Sequence, residues 1–191
     1  MKATLIKTLL PWLCYAGLGL GGFGQSAAAA ALAVLILGCV LLGGGFKPVD
    51  LVLALYFALL IAGIQVLHWK WLESFQPVLA PAMLAAMAFV TVLLGSPFTL
   101  PYARESVKDP AILASFHFYR VNNILSVLWG LAFLVAALGQ FWALGHPEFF
   151  WIVTGGGFLA TGVAAFFTWR FPPWYHKHVY EPQTARLEVV E

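Results

Sequence analysis

The sequence predicts an all-α integral membrane protein with six transmembrane helices, both termini in the cytoplasm, and an amphipathic segment between helices four and five. Three observations support this prediction. Of the 191 residues, 62% are hydrophobic and only 9% are charged, whereas a soluble domain carries roughly 25% charged residues. The apolar residues form runs long enough to cross a bilayer, which takes about 20 residues per helix. The basic residues lie almost entirely in alternate connections between these runs.

The overall charge and the cysteines exclude several classes of protein. The net charge of +2 is too small to indicate a nucleic-acid partner. The two cysteines, Cys14 and Cys39, lie inside apolar runs and cannot form the disulfide framework of a small secreted domain. A thiol in such surroundings usually behaves as a small hydrophobic side chain. We therefore predict that the two thiols lie within the membrane and form no disulfide.

The first two predicted helices share one apolar stretch, Thr8–Phe46, which contains no charged residue. Glycines in the segment Gly21–Ser26 allow a tight turn, which separates helix Thr4–Phe23 from helix Ala27–Gly45. The start of the chain also has basic residues, an apolar run and small residues suited to cleavage, as in a secretory signal peptide. We interpret this segment as the first membrane helix, with a signal peptide as the alternative.

Four more helices complete the predicted transmembrane domain. The third begins after Lys47 and Pro48, because proline is favoured in the first turn of a helix. These four helices are predicted at Val49–Leu67, Val78–Gly95, Asn122–Leu144 and Phe149–Trp169. Residues 1–173 would then form a single six-helix domain, followed by a cytoplasmic tail at 174–191.

The distribution of basic residues predicts the orientation, because lysine and arginine favour cytoplasmic connections. With the N-terminus in the cytoplasm, nine of the ten basic residues fall on the cytoplasmic side, and only Lys70 falls on the other. The nine are Lys2, Lys7, Lys47, Arg104, Lys108, Arg120, Arg170, Lys177 and Arg186. This asymmetry predicts that both termini are cytoplasmic.

Small residues at four-residue spacing suggest where helices approach one another closely. Gly17 and Gly21 form one such pair in the first helix, and Ala160 and Ala164 form another in the sixth. Small side chains allow two membrane helices to pack tightly. The pattern fits packing within one chain, self-association, and contact with other membrane proteins.

The connection between helices four and five is the most polar internal segment, and part of it has a helix-start pattern. Asp109 followed by Pro110 supplies an N-cap and a proline at the first helical position. A helix over Asp109–Arg120 would place Ile112, Phe116 and Tyr119 on one apolar face. We predict an ordered amphipathic helix here, lying on the cytoplasmic membrane surface.

Charged and aromatic residues in this connection predict a contact surface for lipids or partners. Arg104 and Lys108 are four positions apart and would share a helix face, while Glu105 could pair with Lys108. Pro101 disfavours a continuous helix through the preceding residue. Basic side chains close to a membrane surface attract anionic headgroups. The predicted contact residues are Arg104, Lys108, Arg120, Tyr102 and Phe116; the alternative is that these charges only set the topology.

Several segments resemble those of intracellular septation protein A and related small bacterial membrane proteins. The similarity covers roughly Lys47–Pro173. It includes "KPVDLVLALYFALLIAGIQVLH" at Lys47–His68, "SPFTLPYARE" after the fourth helix, "YRVNNILSVLWGLAFLV" at Tyr119–Val135, and "TWRFPP" at the end of the sixth helix. Asn122, Trp129 and Phe133 match a pattern that opens the fifth helix in this family. The loop "SPFTLPYARE" is closer to a sister branch than to septation protein A itself.

This resemblance implies a multi-pass protein of the bacterial inner membrane that takes part in envelope maintenance and septation. It carries over no catalytic residue. The sequence also lacks a serine nucleophile elbow, a zinc-protease HExxH motif and a phosphate-binding loop. We therefore expect a non-catalytic interaction or scaffold protein without a cofactor.

Polar residues within the predicted spans leave an alternative function open. Gln65, Asn122, Asn123 and Gln140 could line a cavity between helices three and five, as in a small transporter or lipid-handling protein. The simpler interpretation is that they form hydrogen bonds between helices. We prefer the scaffold function, and a continuous polar cavity reaching Gln65 and Gln140 would favour the alternative.

Histidines provide the remaining possible ligands. His68 and His146 are predicted near the outer surface, where they could in principle hold a haem. His176 and His178 could bind a metal ion weakly, but a solvated or lipid-facing tail is the favoured explanation. We therefore predict no metal site.

Overall fold

The structure, a computed structural model, describes residues 10–15, 17–18, 24–41 and 47–180. All regular secondary structure in this part of the chain is helical, which confirms the predicted fold class at that level. Its α-helices are, in chain order, α1 (Gly24–Leu41), α2 (Pro48–Leu60), α3 (Lys70–Leu93), α4 (Leu100–Ser106), α5 (Pro110–Ala114), α6 (Phe116–Ala143) and α7 (Phe150–Tyr175). Most of the predicted helix Thr4–Phe23 lies outside the described residues, although residues 10–15 are helical.

Four helical segments within the described residues are long and apolar enough to cross a membrane: Pro48–Val66, Lys70–Leu93, Phe116–Ala143 and Pro147–Tyr180. They correspond to the third to sixth predicted helices. The apolar helix Ser26–Leu41 is shorter, and it coincides with part of the second predicted helix. By length and composition, these four are therefore candidate spanning helices.

The first buried cluster forms where α1, α2 and α3 meet. Leu53, Phe57 and Leu60 of α2 are almost completely buried, as are Leu35 of α1 and Leu72 of α3. Inside a bilayer such contacts stabilise the fold through close packing, because lipid tails are as apolar as the side chains. The shapes of these side chains therefore determine which helices pair.

Helix α3 begins at Lys70, well before the predicted start at Val78. The prediction considered only the apolar residues of the span, but Leu72 of the first turn is fully buried and adds to the packing. Pro77 and Pro81 lie inside this helix. Prolines are tolerated in membrane helices because neighbouring groups can satisfy the backbone carbonyls they leave without a partner.

Helix α6 is the central helix of the C-terminal half and packs against both α3 and α7. Small residues allow the close approach. A Cβ atom added to Gly130 would lie 3.0 Å from the ring of Phe89. Ala164 of the predicted small-residue pair in α7 is buried within the chain, and Ala160 is half-buried. Gly17 is exposed, while Gly21 lies outside the described residues.

The predicted surface helix Asp109–Arg120 is wrong as one continuous element. The short helix α5 ends at Ala114, and the extended backbone of Ser115 (φ −74°, ψ 143°) separates it from α6. The Ser115 side chain then accepts a hydrogen bond from Phe118 N at 3.1 Å and caps α6. Serine competes with a helix interior by capping the next helix. Phe116, Tyr119 and Arg120 consequently belong to a spanning helix.

Other local predictions for this connection have different outcomes. Asp109 caps α5 as predicted, since its carboxylate accepts a hydrogen bond from Ala111 N at 2.9 Å. As expected from Pro101, no helix runs through Leu100 from the preceding residues; α4 begins at Leu100, with Pro101 in its first turn. A proline is tolerated there because the first amide groups have no partner within the helix.

Helix α7 extends beyond the predicted end at Trp169. It continues through Pro172 and Pro173 to Tyr175, and a wider helical turn carries it to Tyr180. Tyr175 is buried against α6, which stabilises turns that the two prolines would otherwise weaken. The helical structure therefore enters the segment predicted as a tail.

Candidate functional site

The candidate site lies at one end of the helical bundle, where α2 and α6 begin and α3 and α7 end. We call this the Lys47 end. Six of the seven basic residues that the structure describes lie here, and Lys70 lies at the opposite end. The six are Lys47, Arg104, Lys108, Arg120, Arg170 and Lys177.

Four side chains form a cluster around Lys47, which we call the Lys47 cluster: Lys47, Asp50, Tyr102 and Glu105. Lys47 is only 6% exposed, and its Nζ lies 2.5 Å from Oε1 of Glu105. The same Nζ lies 4.5 Å from the centre of the Tyr102 ring. The Lys47 backbone N–H donates a hydrogen bond of 3.0 Å to the Asp50 carboxylate. These contacts join the start of α2 to α4.

The electrostatics of this cluster favour a fixed arrangement. A buried ammonium group is costly unless a counter-charge and hydrogen bonds compensate for the lost water. Glu105 supplies the counter-charge, and the face of an aromatic ring also attracts a cation. Burial raises the pKa of the Tyr102 phenol, and the carboxylates of Asp50 and Glu105 raise it further. The phenol is therefore neutral and serves as packing beneath the lysine.

A second set of hydrogen bonds anchors the same connection to α6. Thr99 Oγ1 donates to the Asn122 carbonyl at 2.9 Å and lies 3.0 Å from Ser126 Oγ. The Thr99 backbone N–H also donates to Ser126 Oγ at 3.3 Å. All three residues are buried. The segment containing α4 is therefore attached to two spanning helices.

The predicted contact residues divide into an exposed group and an anchoring group. Arg104, Lys108 and Arg120 are exposed, and none of them forms an ion pair with another described residue. Phe116 is also exposed, at 67%. Tyr102, in contrast, packs against Lys47 and contributes to the attachment of α4. The surface formed by Arg104, Lys108, Arg120 and Phe116 is called the basic surface below.

The predicted pairing of Glu105 with Lys108 is wrong. Glu105 instead contacts Lys47, and Lys108 lies in the segment between α4 and α5. Spacing along the chain could suggest only a local partner, because contacts between distant helices depend on the tertiary fold. Lys108 is exposed.

The Lys47 end also holds the end of α7. His117 Nδ1 lies 3.2 Å from the Tyr175 hydroxyl, which brings the start of α6 close to the end of α7. Val121 and Leu125 of α6 pack against Tyr175 in an apolar cluster. The turn that follows α7 also contacts this region, since the rings of His117 and Tyr180 are 5.2 Å apart.

The four residues predicted for a polar cavity do not gather at one place. Asn122 is buried, and its amide donates to the Phe118 carbonyl at 2.8 Å; Asn123 follows it in α6 and is half-buried. Gln140 donates to Thr154 at 2.8 Å, and it lies about 27 Å farther along α6 than Asn122 at 1.5 Å per residue. These amides therefore act at opposite ends of the helix.

Gln65 lies in another region, in the turn between α2 and α3. It lines a pocket there together with Ile64, His68, Lys70 and Glu73. The lining does not include Gln140, which contacts α7 instead. This pocket therefore does not join the two glutamines.

The histidines that were considered as ligands make local contacts. His146 stacks on Trp142 with ring centres 4.4 Å apart, and His178 Nδ1 lies 2.9 Å from the Trp174 carbonyl. In the part of the chain that the structure describes, no group of three or more histidine, cysteine, aspartate or glutamate side chains could hold a metal ion. Cys14 and Cys39 form no disulfide.

Sequence analysis identified the exposed basic residues but, apart from Tyr102, not the anchoring ones. Lys47 entered the sequence analysis only through the helix start and the topology, and Asp50 and Thr99 were not considered as site residues. One signal could have identified Lys47 and Asp50, namely two charged residues three positions apart at the start of an apolar helix.

No family model, curated protein or solved structure matches the chain.

Proposed function

We propose that this chain is a non-catalytic interaction protein of the bacterial inner membrane, of the envelope-maintenance and septation type. In this proposal it crosses the membrane six times, and the Lys47 end and both termini are cytoplasmic. The uneven distribution of basic residues between the two ends supports the orientation. The family proposal rests on the segments quoted above.

The observation that carries the functional proposal is the basic surface. Arg104, Lys108 and Arg120 are exposed without a counter-charge from the described residues, while the Lys47 cluster anchors α4, which carries Arg104. An anchored surface loses less conformational entropy on binding than a flexible loop does. Its ligand would be an anionic lipid headgroup, with Phe116 entering the boundary between headgroups and acyl chains.

Replacement of the exposed charges tests this proposal. Each basic residue near an anionic membrane surface contributes about 1 kcal/mol to its attraction. The double variant Arg104→Gln/Lys108→Gln should therefore lose about 2 kcal/mol of this attraction. It should retain at least about tenfold less phosphatidylglycerol or cardiolipin than the parent, since 1.4 kcal/mol corresponds to a factor of ten. Lipids retained after purification in mild detergent can be quantified by native mass spectrometry.

The variant Arg170→Gln/Lys177→Gln is a matched control, because it removes two exposed charges from the same end but outside the basic surface. It should retain more anionic lipid than the Arg104/Lys108 variant. Equal losses in both variants would mean that total charge, and not this surface, attracts the lipid. In that case the basic residues only set the topology.

Cysteine labelling tests the proposed orientation. Single cysteines placed at Lys108 and Lys70, in a background without Cys14 and Cys39, should react differently in intact cells. An impermeant reagent should label position 70 and leave position 108 unmodified. The opposite result would reverse the orientation and place the basic surface outside the cell.

A further inference from the structure

The end of the bundle opposite the Lys47 end contains a pocket of about 370 Å³ between α2 and α3. We call it the turn pocket; its lining residues are Ile64, Gln65, His68, Lys70 and Glu73. It is separate from the basic surface and takes no part in the function proposed above. Its lining combines an apolar side chain with cationic, anionic and neutral polar groups.

The walls of the turn pocket are held by a tightly packed turn. The last residues of the first spanning segment, Ile61–Val66, form a π-helical turn, a feature that often occurs at functional sites. His68 has a positive φ of 53°, in the left-handed region that side chains rarely adopt. The Trp69 backbone N–H donates to the Gly63 carbonyl at 2.8 Å and closes the turn.

Buried packing beneath the turn opposes its rearrangement. A Cβ atom on Gly63 would lie 2.3 Å from Cδ2 of Leu72 and 3.2 Å from the Trp69 ring. Leu72 is completely buried, so it has little room to move. The pocket is therefore formed before any ligand binds, which lowers the entropy cost of binding.

The charged groups of the pocket suit a ligand with two opposite charges. Lys70 and Glu73 are one helical turn apart on α3 and are both exposed. They form no ion pair with each other or with other residues in the described ranges. The Lys70 ammonium can receive an anionic oxygen, and the Glu73 carboxylate can accept hydrogen bonds from a ligand ammonium. His68 adds a second nitrogen-bearing group to the lining.

Neighbouring tryptophans indicate the depth of the pocket. Trp69 and Trp71 stack with ring centres 5.9 Å apart, and they are 41% and 58% exposed. Exposed tryptophans at the ends of membrane helices lie at the level of the lipid headgroups. A pocket beside them would open to that level, where headgroups are the most concentrated charged ligands.

We infer that the turn pocket binds a phosphoethanolamine group, with its phosphate at Lys70 and His68 and its primary ammonium at Glu73. A phosphatidylethanolamine headgroup and a soluble phosphoethanolamine share this chemistry. Phosphatidylcholine carries the same phosphate, but its trimethylated nitrogen has no hydrogen to donate to Glu73. Comparison of these ligands therefore isolates the contact with the carboxylate.

Native mass spectrometry of the full chain from mixed micelles can measure lipid preference. We expect the parent to retain phosphatidylethanolamine over phosphatidylcholine, and Glu73→Gln to reduce this preference about tenfold, as expected for loss of one charge-assisted hydrogen bond. Lys70→Gln should weaken retention of both lipids, whereas Lys70→Arg should preserve it. Glu148→Gln is the matched control, because Glu148 is exposed at the same end but does not line the pocket.

A second arm identifies the source of the ligand. Free phosphoethanolamine is titrated into detergent-solubilised protein while tryptophan fluorescence is recorded. The pocket would be assigned to a soluble ligand if two results are found together. The fluorescence change saturates with phosphoethanolamine in the parent but not in Glu73→Gln, and the parent retains phosphatidylethanolamine and phosphatidylcholine equally. If Glu73→Gln and Lys70→Gln bind both the lipid and the free compound like the parent, the inference is wrong. Far-ultraviolet circular dichroism shows that each variant keeps its helices.

Discussion

Lys47 and Glu105 are 58 positions apart in the sequence, yet Nζ of the lysine lies 2.5 Å from Oε1 of the glutamate. The lysine is the N-cap of α2, and the glutamate lies near the end of α4. Their contact joins α2 to the connection between α3 and α6. It explains why this connection can present a stable surface although its two helices are short.

Replacement of Glu105 by glutamine should destabilise the protein. The change leaves the buried Lys47 ammonium without its counter-charge. Hydrogen bonds to charged groups contribute about 1.5–3 kcal/mol, and we expect the lower part of this range because Glu105 is 37% exposed. Thermal unfolding in detergent should show the loss, and trypsin should cleave faster after Arg104.

Glu148→Gln provides the comparison for this prediction, since it removes an exposed carboxylate far from Lys47. Its unfolding temperature and its cleavage rate should match those of the parent. Unchanged behaviour of Glu105→Gln would show that the ion pair does not anchor α4.

Tyr102→Phe should make the protein less sensitive to alkaline pH. Burial raises the pKa of Tyr102, so the folded state favours the neutral phenol. Its contribution to stability is present below the ordinary tyrosine pKa of about 10 and is lost as pH rises above that value. Phenylalanine cannot ionise and keeps a ring beneath Lys47. Unfolding temperatures between about pH 8 and 11 should fall less steeply in the variant; equal slopes would contradict this.

Ser115→Ala should loosen the first turn of α6. The Ser115 hydroxyl accepts the Phe118 N–H, and loss of an N-cap typically costs about 1 kcal/mol. Hydrogen exchange should accelerate at Phe118 and its neighbours but not at Gln140, farther along the same helix. Asp109→Ala is a useful comparison, because it should affect only the amide of Ala111 in α5. Unaltered exchange at Phe118 would rule out the cap.

Gly63→Ala should disturb the turn between α2 and α3. The added methyl group would overlap Leu72, and overpacking of a filled core costs about 1–3 kcal/mol. In a Leu72→Ala background the same change should cost less, because the overlapping atoms have been removed. A double-mutant cycle of unfolding free energies measures this coupling. Equal costs in both backgrounds would show that the two residues do not compete for space.

Local patterns predicted much of the helical structure but missed long-range partners. The Asp109 cap was confirmed because a cap depends only on residues two or three positions away. The continuous helix through Ser115 was wrong because two local signals competed there, and the serine cap prevailed over the apolar periodicity. The predicted pairing of Glu105 with Lys108 was wrong for a different reason, because the tertiary fold brings Lys47 to Glu105.

The sequence by itself determined that the chain is helical, that apolar segments can cross a bilayer, and that basic residues concentrate at alternate connections. These properties follow from composition and spacing, because each apolar residue favours the membrane interior independently of its neighbours. The tertiary structure decided which polar side chains meet: Lys47 with Glu105, Thr99 with Ser126, and Lys70 and Glu73 around one pocket. Such contacts depend on how whole helices pack, and packing is set by the shapes of many side chains together.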